Sequence, residues 1–508
     1  MAFVFAAIWV VLIRIPLILN ASDHMDSDLA VDGLTLLEAT HGHFRWHYPG
    51  TPFMGTGAVL LSLPQALLWG ANPTTLVSGG TLAYLGLLAA TFRLAWRVGG
   101  LEVAGWSLVP LTFASTGVLW LSARITGGHL VAAAWHAGAF ALLAEAWERG
   151  GRTRVLGLGL WCGFGFYLDS MLSVTIGGIL LASSAGRLLA GMNRRSVLSA
   201  LVFILGFVGG VWPRPVGARL DPYDAYGDQF AITREPELLA SHGWLLAEEC
   251  IPRLIAGHKL PGLEADPDPA SLSGAATTRR REPFSALSAA VTGLTLSLAS
   301  ASLIALIVAT LTGPTSARVV CLGLFLSSAA TLAGFVANRN IFNSDNYRYL
   351  VSLLAPLALG FGLLAERITR IGTRGYYAAT GVTVLLAVLM TADAVRWYSR
   401  FGWVGGSALP LTKSVDDSTL EWLRDHPNVS WIEGGYWDVY RLSFLTGGRV
   451  RGAPFPIYPN RFPEWKKAGE AAVVTRPSSE GRHFQDKAVR EGYRVIARAR
   501  GVSILMRP

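Results

Sequence analysis

SDHMDSDLAVDGLTLLEATHGHFRWHYPGTPFMGTGAVLLSLP, residues 22–64, is the stretch from which the rest of the chain is read. Its first half gathers Asp23, Asp26, Asp28, Asp32 and Glu38. Its middle interleaves His41, His43, Arg45 and His47 with Phe44, Trp46 and Tyr48. It follows directly on an apolar run at residues 1–20, and a bilayer core takes roughly 20 such residues. A dense polar and aromatic cluster at the exit of a membrane helix needs a reason beyond anchoring.

Working outward, the 508 residues are 52% hydrophobic and only 15% charged, with a mean hydropathy of +0.41. That composition describes a polytopic membrane protein and argues against a soluble enzyme. The net charge of +9 is not a nucleic-acid signal, because the arginines sit in short loops between apolar segments. Cys162, Cys250 and Cys321 show neither a disulfide framework nor a metal spacing. Residues 1–20 lack a basic start and contain Arg14, so a retained first span is expected rather than a cleaved signal peptide.

About eleven spans are expected: 1–20, 74–96, 102–121, 129–147, 154–168, 171–187, 197–213, 285–312, 317–337, 347–365 and 375–395. As one helix, 154–187 would be about 50 Å long at 1.5 Å per residue, too long for a single crossing. Tyr167, Asp169 and Ser170 break it, so two short helices meeting at Asp169 are expected. With the N-terminus in the cytoplasm, the short cytoplasmic loops and helix ends carry Arg93, Arg97, Arg149, Arg187, Arg194, Arg318, Arg367 and Arg374. The opposite short loops carry little beyond Arg45, Arg124 and Arg339. This bias sets residues 22–64 and the C-terminus outside the cytoplasm, in an integral protein of what is expected to be a bacterial inner membrane.

The expected fold class is therefore an α-helical polytopic membrane protein with surface-lying helices in the first outer loop and a small C-terminal α/β domain. Residues 1–395 form the membrane module, with a first outer loop at 21–73 and a long one at 213–284. Residues 396–508 form the soluble domain. In the first loop, Leu29–Thr40 and Phe53–Leu63 have the spacing of helices lying on the membrane. A further surface helix is expected near Glu235–Ile255. In the tail, 416–425 and His483–Glu491 read as helices, and Val429–Ile432, Ala471–Thr475 and Val502–Met506 as strands.

Asp26-Ser27-Asp28 is the first candidate for chemistry. Two carboxylates one residue apart bind a divalent cation or serve as a general base, and they also cap helices or sit solvated in loops. A sugar or Ser/Thr hydroxyl is a poor nucleophile until a carboxylate takes its proton. A lipid phosphate leaving group needs fixed cations, for which the planar fork of arginine is suited. Arg14, near the outer end of the first span, and Arg348, in Asn343-Ser344-Asp345-Asn346-Tyr347-Arg348-Tyr349, are the donor-phosphate candidates; snorkelling and interfacial anchoring are their bland alternatives. Arg124 and His129 form another polar group on the same face. Asp169 is either a site residue or a helix cap. Asp32, His47, Arg124, Asp169 and Tyr347 are the substrate-binding candidates. Gly434 to Arg441 suits carbohydrate contact or packing within the tail, and catalysis is not expected there.

The IRIPL end of the first helix, the acidic pair in the first outer loop, the surface helix after it and the His47-Tyr48-Pro49 turn together resemble the C superfamily of glycosyltransferases. The similar branch contains the protein O-mannosyltransferases and the lipid A aminoarabinose transferase. Such a resemblance implies sugar transfer from a polyprenyl-phosphate donor to a lipid, glycan or protein acceptor outside the cytoplasm. It also implies that Asp26 or Asp28 is the catalytic base. His47-Tyr48-Pro49, with Pro52 beyond, departs from the His-Pro-Pro element of that family, which leaves the role of His47 open. No cofactor is required by the sequence, and a divalent cation on Asp26 and Asp28 stays open. Nucleic acid is not an expected partner; membrane lipids are. A transporter or lipid flippase is the rival reading, but it would place charges near mid-helix rather than at the outer loops.

Overall fold

The computed structural model describes residues 1–125, 128–191, 194–220, 230–258, 285–404, 417–476, 479–499 and 502–508. Among these, nine helices are long and apolar enough to cross a membrane: Ala2–Leu19, Pro73–Ser107, His129–Arg149, Ser170–Leu189, Ser196–Leu220, Ala286–Thr312, Thr315–Ala337, Ser344–Thr369 and Thr373–Arg400. Their outward faces carry apolar side chains at helical spacing, such as Val4, Ile8, Leu12 and Ile15 on the first and Leu201, Ile204, Leu205 and Val208 on another. Such stripes are a liability in water and are the lipid-facing side in a bilayer.

Two of the eleven expected spans are built differently. Arg152–Leu168 is a helix of 17 residues, about 25 Å long. It ends where expected: Asp169 is extended, and its carboxylate caps the short turn Ser170–Leu172 before the helix Ser173–Ala190. The expected 102–121 span is broken. Pro73–Ser107 kinks at Gly100, whose φ is 83°. The chain then continues through Val109–Thr112, with Pro110 in its first turn, and Thr116–Ser122, capped by the Ser115 hydroxyl. Each of the last two pieces is too short to read as a span.

Charge divides the bundle into two ends. At one, Arg93 and Arg97 pair with Glu145 at 2.7 and 3.1 Å, and Thr369 donates to Glu102 at 2.7 Å. At the other are the ion pairs Asp26–Arg124 and Arg253–Asp345 and the His129–Asp169 contact. The broken stretch runs from Glu102 at the first end to Ser122 at the second. Small residues allow the closest helix contact. Gly159 and Gly163 face Gly206 and Gly210 across the pair Arg152–Leu168 and Arg194–Val211, with backbone where a Cβ would stand.

The first outer loop opens with the expected helix, Ser27–Thr40. Phe53–Leu63 is not a helix throughout. His47–Tyr48 (β1) and Thr51–Gly55 (β2) form a short hairpin in which Tyr48 pairs with Thr51. Gly50 takes the positive φ of 74° that this tight turn demands. A 3₁₀ segment, Thr56–Leu61, and a helix, Leu63–Trp69, follow. Within 213–284 the expected helix near Glu235–Ile255 is present as one continuous helical run, Pro236–Trp244, a π turn at Leu245–Cys250 and Ile251–Ala256. Its last part is buried, not superficial: Arg253 is 1% exposed. Much of the rest of 213–284, namely 221–229 and 259–284, lies outside the described residues, as does 416 at the start of the expected tail helix.

The tail is α/β, as expected, with more elements than the sequence announced. Val429–Gly434 (β3), Arg451–Pro454 (β4), Glu470–Thr475 (β5), Arg494–Ala499 (β6) and Val502–Met506 (β7) form a sheet in the order β4-β3-β5-β7-β6. β3 pairs parallel with β4 and β5, while β7 runs antiparallel to β5 and β6. A helix at Tyr436–Leu445 leaves β3 and packs against Ser27–Thr40. The ring of Phe444 fills the space beside Gly33, and Arg45 ion-pairs with both Glu38 and Glu464.

Candidate active site

Ser27–Thr40 begins with a side-chain cap. Asp26 Oδ1 accepts the Leu29 N–H at 2.9 Å, satisfying one of the orphan donors of the first turn. Its other oxygen is ion-paired with Arg124. Asp26 is 3% exposed, and both of its oxygens are engaged, so its geometry is that of a structural anchor for the helix start. Asp28, in the first turn, is only half-buried. Its Oδ1 accepts from the Tyr436 hydroxyl at 2.7 Å, and its backbone carbonyl accepts from the Tyr48 hydroxyl at 3.0 Å.

Asp32 lies one turn beyond Asp28 on the same helix face. It is buried, and its Oδ2 has no partner among the described residues. Burial pushes its pKa well above the usual carboxylate range; the charge of Asp28 adds to that and Arg461 opposes it. Asp32 is therefore poorly placed to work as an ionised base.

Three arginines gather near Asp345. Arg253 Nη1 bonds Ser344 Oγ at 2.9 Å and Asp345 Oδ1 at 3.0 Å. Its guanidinium lies 4.6 Å from the centre of the Tyr347 ring. Arg348 lies 5.3 Å over Tyr349, close enough to Asp28 and Asp345 to feel both charges. Arg124 stacks 4.9 Å from Trp120. Burial lowers its pKa to about 10, with Asp345 opposing that and Arg348 and Arg253 reinforcing it, so it is still charged at neutral pH. Arg124 Nη1 and Arg348 Nε are buried with no hydrogen-bond partner among the described residues. Unsatisfied buried N–H groups on cations are costly unless a ligand meets them.

The other sequence candidates are distributed around this group. His129 Nδ1 lies 3.3 Å from Asp169 Oδ2 and presents its ring to the Tyr349 ring at 5.3 Å. Asp169 also caps Met171 at 2.8 Å, so it serves as helix cap and His129 partner together. Tyr347 supports rather than lines the site: it is 1% exposed and donates to the Gly117 carbonyl at 2.9 Å. His47 is buried against Gly217 and the Tyr167 ring. Arg14 is inside the bundle, with Nε on Ser122 Oγ at 2.7 Å, Nη1 on the Val10 carbonyl at 2.9 Å and Tyr84 3.9 Å beneath it.

Three participants escaped the sequence reading. Arg253 carried the signal of a lone charge in the apolar run 250–256. Tyr436 sat in the aromatic stretch where catalysis was not expected. Arg461, which donates to the Tyr436 hydroxyl at 3.1 Å, had no local signal. For a metal the fit is poor. Among the described residues no three His, Cys, Asp or Glu groups come together to hold one, and Asp26 already faces Arg124.

An apolar cleft of about 600 Å³, counting its open mouth, is lined by Leu111, Val118, Leu254, Leu298, Leu357 and Met390. It ends beside the arginines: Val118 and Leu254 line it, while their neighbours Gly117 and Arg253 meet Tyr347.

No protein-family model and no curated protein matches the sequence. Solved structures do. ArnT from Cupriavidus metallidurans in the apo state aligns over 98% of this chain and 97% of its own, with a TM-score of 0.59 and 11% identity. The same protein bound to undecaprenyl phosphate aligns with a TM-score of 0.58 and 11% identity over the same shares. The archaeal oligosaccharyltransferase AglB from Archaeoglobus fulgidus, in complex with an inhibitory peptide and a dolichol-phosphate, aligns over 90% of this chain and 64% of its own, with a TM-score of 0.55 and 12% identity. At the level of fold, the chain therefore shares the architecture of ArnT and, over 90% of its length, of AglB.

Proposed function

We propose that the protein is a membrane glycosyltransferase. It moves a sugar from a polyprenyl-phosphate donor to an acceptor hydroxyl on the extracytoplasmic face, with inversion at the anomeric carbon. The observation that carries this reading is a half-buried carboxylate, Asp28, close to Arg348, together with buried N–H groups of Arg348 and Arg124 that have no hydrogen-bond partner among the described residues. The donor's polyprenyl chain lies in the apolar cleft, and its phosphate meets Arg124 and Arg348. The ArnT complex with undecaprenyl phosphate and the AglB complex with dolichol-phosphate support a ligand of this class. Arg14, whose Nε and Nη1 are bonded to Ser122 and Val10 and whose Nη2 is buried without a partner among the described residues, is assigned to holding the bundle because it stacks on Tyr84 inside it.

In the proposed step the acceptor oxygen attacks the anomeric carbon from the side opposite the phosphate. Asp28 Oδ2 takes the hydroxyl proton as the new bond forms. The bond to the lipid phosphate breaks with its electron pair, and the charge developing on that phosphate is met by Arg124 and Arg348. The N-terminus and the Arg93–Arg97 end are cytoplasmic in this reading, in keeping with the arginine bias.

The test is sugar transfer by purified protein in nanodiscs, with radiolabelled polyprenyl-phosphate sugars supplied one by one, with and without EDTA. The wild type is expected to release sugar from one donor. Asp28→Asn is expected to lose about a hundredfold or more, the range for removal of a general base. No turnover of any donor, with Asp28→Asn indistinguishable from wild type in cells, would refute the assignment and favour a transporter.

A further inference from the structure

We infer that the C-terminal domain completes the catalytic site, with Tyr436 as the positioning residue that orients the carboxylate of Asp28. The inference rests on the proposed role of Asp28 as base.

The domain is held in register on the surface helix by contacts on both sides of Asp28. Ser27 Oγ donates to the Tyr436 carbonyl at 2.5 Å, and Arg441 Nε donates to the Met25 carbonyl at 2.9 Å. Phe444 seats beside Gly33 further along the helix. These contacts deliver the Tyr436 hydroxyl to Asp28 Oδ1 at 2.7 Å, across more than four hundred residues of sequence.

The polarity of this hydrogen bond is dictated by its other neighbour. Arg461 Nε donates to the same hydroxyl oxygen at 3.1 Å, and a guanidinium has donors only. The Tyr436 oxygen therefore accepts from Arg461, and its own proton points to Asp28. Arg461 is itself buried and fixed, donating through Nη1 to the Pro49 carbonyl at 2.9 Å. Tyr48, next to Pro49, donates to the backbone carbonyl of Asp28. The chain Arg461, Tyr436, Asp28 thus fixes the plane of the carboxylate, leaving Oδ2 for the acceptor proton. Tyr436 keeps its own proton throughout.

The charged and titratable groups around Asp28 come from four directions. Asp26 and Asp32 share its helix, Arg348 comes from Ser344–Leu353, Tyr48 from β1, and Tyr436 and Arg461 from the C-terminal domain. Removing one donor leaves the rest in place, so the effect of Tyr436 is separable.

The experiment is steady-state transfer by Tyr436→Phe in nanodiscs with the donor the wild type uses. The expected kcat loss is about tenfold, with donor KM within about twofold. The melting temperature should fall less than in Phe444→Leu, since one hydroxyl is lost and the packing of the ring is kept. Phe444→Leu serves as the comparison: it loosens the same docking surface and lowers the melting temperature, but keeps a kcat above that of Tyr436→Phe. An unchanged kcat for Tyr436→Phe would overturn the inference, as would a loss that only tracks melting temperature. A wild type inactive with every donor overturns the proposed function itself, whereas an active wild type matched by Tyr436→Phe overturns only the inference.

Discussion

Asp26, Asp28 and Asp32 are the same residue type within seven positions, and their surroundings separate them into three jobs. A helix cap and Arg124 hold Asp26, the Tyr436 hydroxyl donates to Asp28, and burial pushes the pKa of Asp32 up. The sequence made the group legible and could not divide the labour, because each partner lies far along the chain. The same holds for the arginines: Arg348 and Arg14 were equally basic on paper and both keep a buried N–H without a partner among the described residues, but Arg348 is the one close enough to Asp28 to feel its charge. Arg348→Gln is expected to raise donor KM at least tenfold, while Arg14→Gln lowers the melting temperature and leaves KM near wild type; the reverse pattern in transfer assays would exchange their roles. Asp32 gives a pH test. Its folded pKa lies above the unfolded value of about 3.9, so between the two the folded state binds more protons than the unfolded state. Stability contributed by its proton is full below the unfolded value and declines as pH rises through the folded value. Asparagine has the same shape and no proton to lose. The melting temperature of Asp32→Asn relative to wild type should therefore grow from pH 5 to pH 8, and a constant difference would contradict a protonated Asp32.

Elements with strong periodicity and a single environment were the ones the sequence revealed. The surface helix Ser27–Thr40, the break at Asp169 and three strands of the tail are examples. Elements that depend on a local turn or on tertiary cover were not. The Pro49-Gly50 turn makes a hairpin where apolar spacing suggested a helix. Arg451–Pro454 and Arg494–Ala499 lack the apolar alternation of an autonomous strand and form by pairing with β3 and β7. Helix contact through glycine belongs to this scale too. A Cβ at Gly163 would stand 2.1 Å from the Phe207 carbonyl oxygen and 2.8 Å from the Val211 nitrogen, whereas at Gly157, on the same helix, it would meet nothing within 4 Å. Gly163→Ala must push Arg194–Val211 away, at a cost of about 1–3 kcal/mol typical of overpacking. Gly157→Ala gains helix propensity, roughly 0.5–1 kcal/mol. Thermal unfolding in detergent should rank them Gly157→Ala, wild type, Gly163→Ala in falling order, and equal values for the two variants would remove the close-contact account.

At the scale of the whole molecule, the bilayer is the reason so much was legible. Apolar length and arginine placement are imposed by the solvent, so they are written locally along the chain. The docking of the C-terminal domain is imposed by no solvent, only by contacts such as Arg441 to Met25 and Arg461 to Pro49, and no local pattern announces it. The proposed orientation joins the two. If the arginine-rich end is cytoplasmic, then Asp28, the arginine cluster and the docked domain all lie outside, where a polyprenyl-linked sugar would be handed to an envelope acceptor. The three native cysteines are buried, which gives a quiet background for labelling. His43, in the first outer loop, and Arg374, between the last two spans, are both exposed and belong to opposite ends of the bundle. In intact cells a membrane-impermeant maleimide should label His43→Cys, and should reach Arg374→Cys only after lysis. Labelling of Arg374→Cys in intact cells with His43→Cys protected would invert the topology and place the site on the cytoplasmic face. The acceptor would then have to be sought among cytoplasmic hydroxyls, and the arginine bias would need another cause.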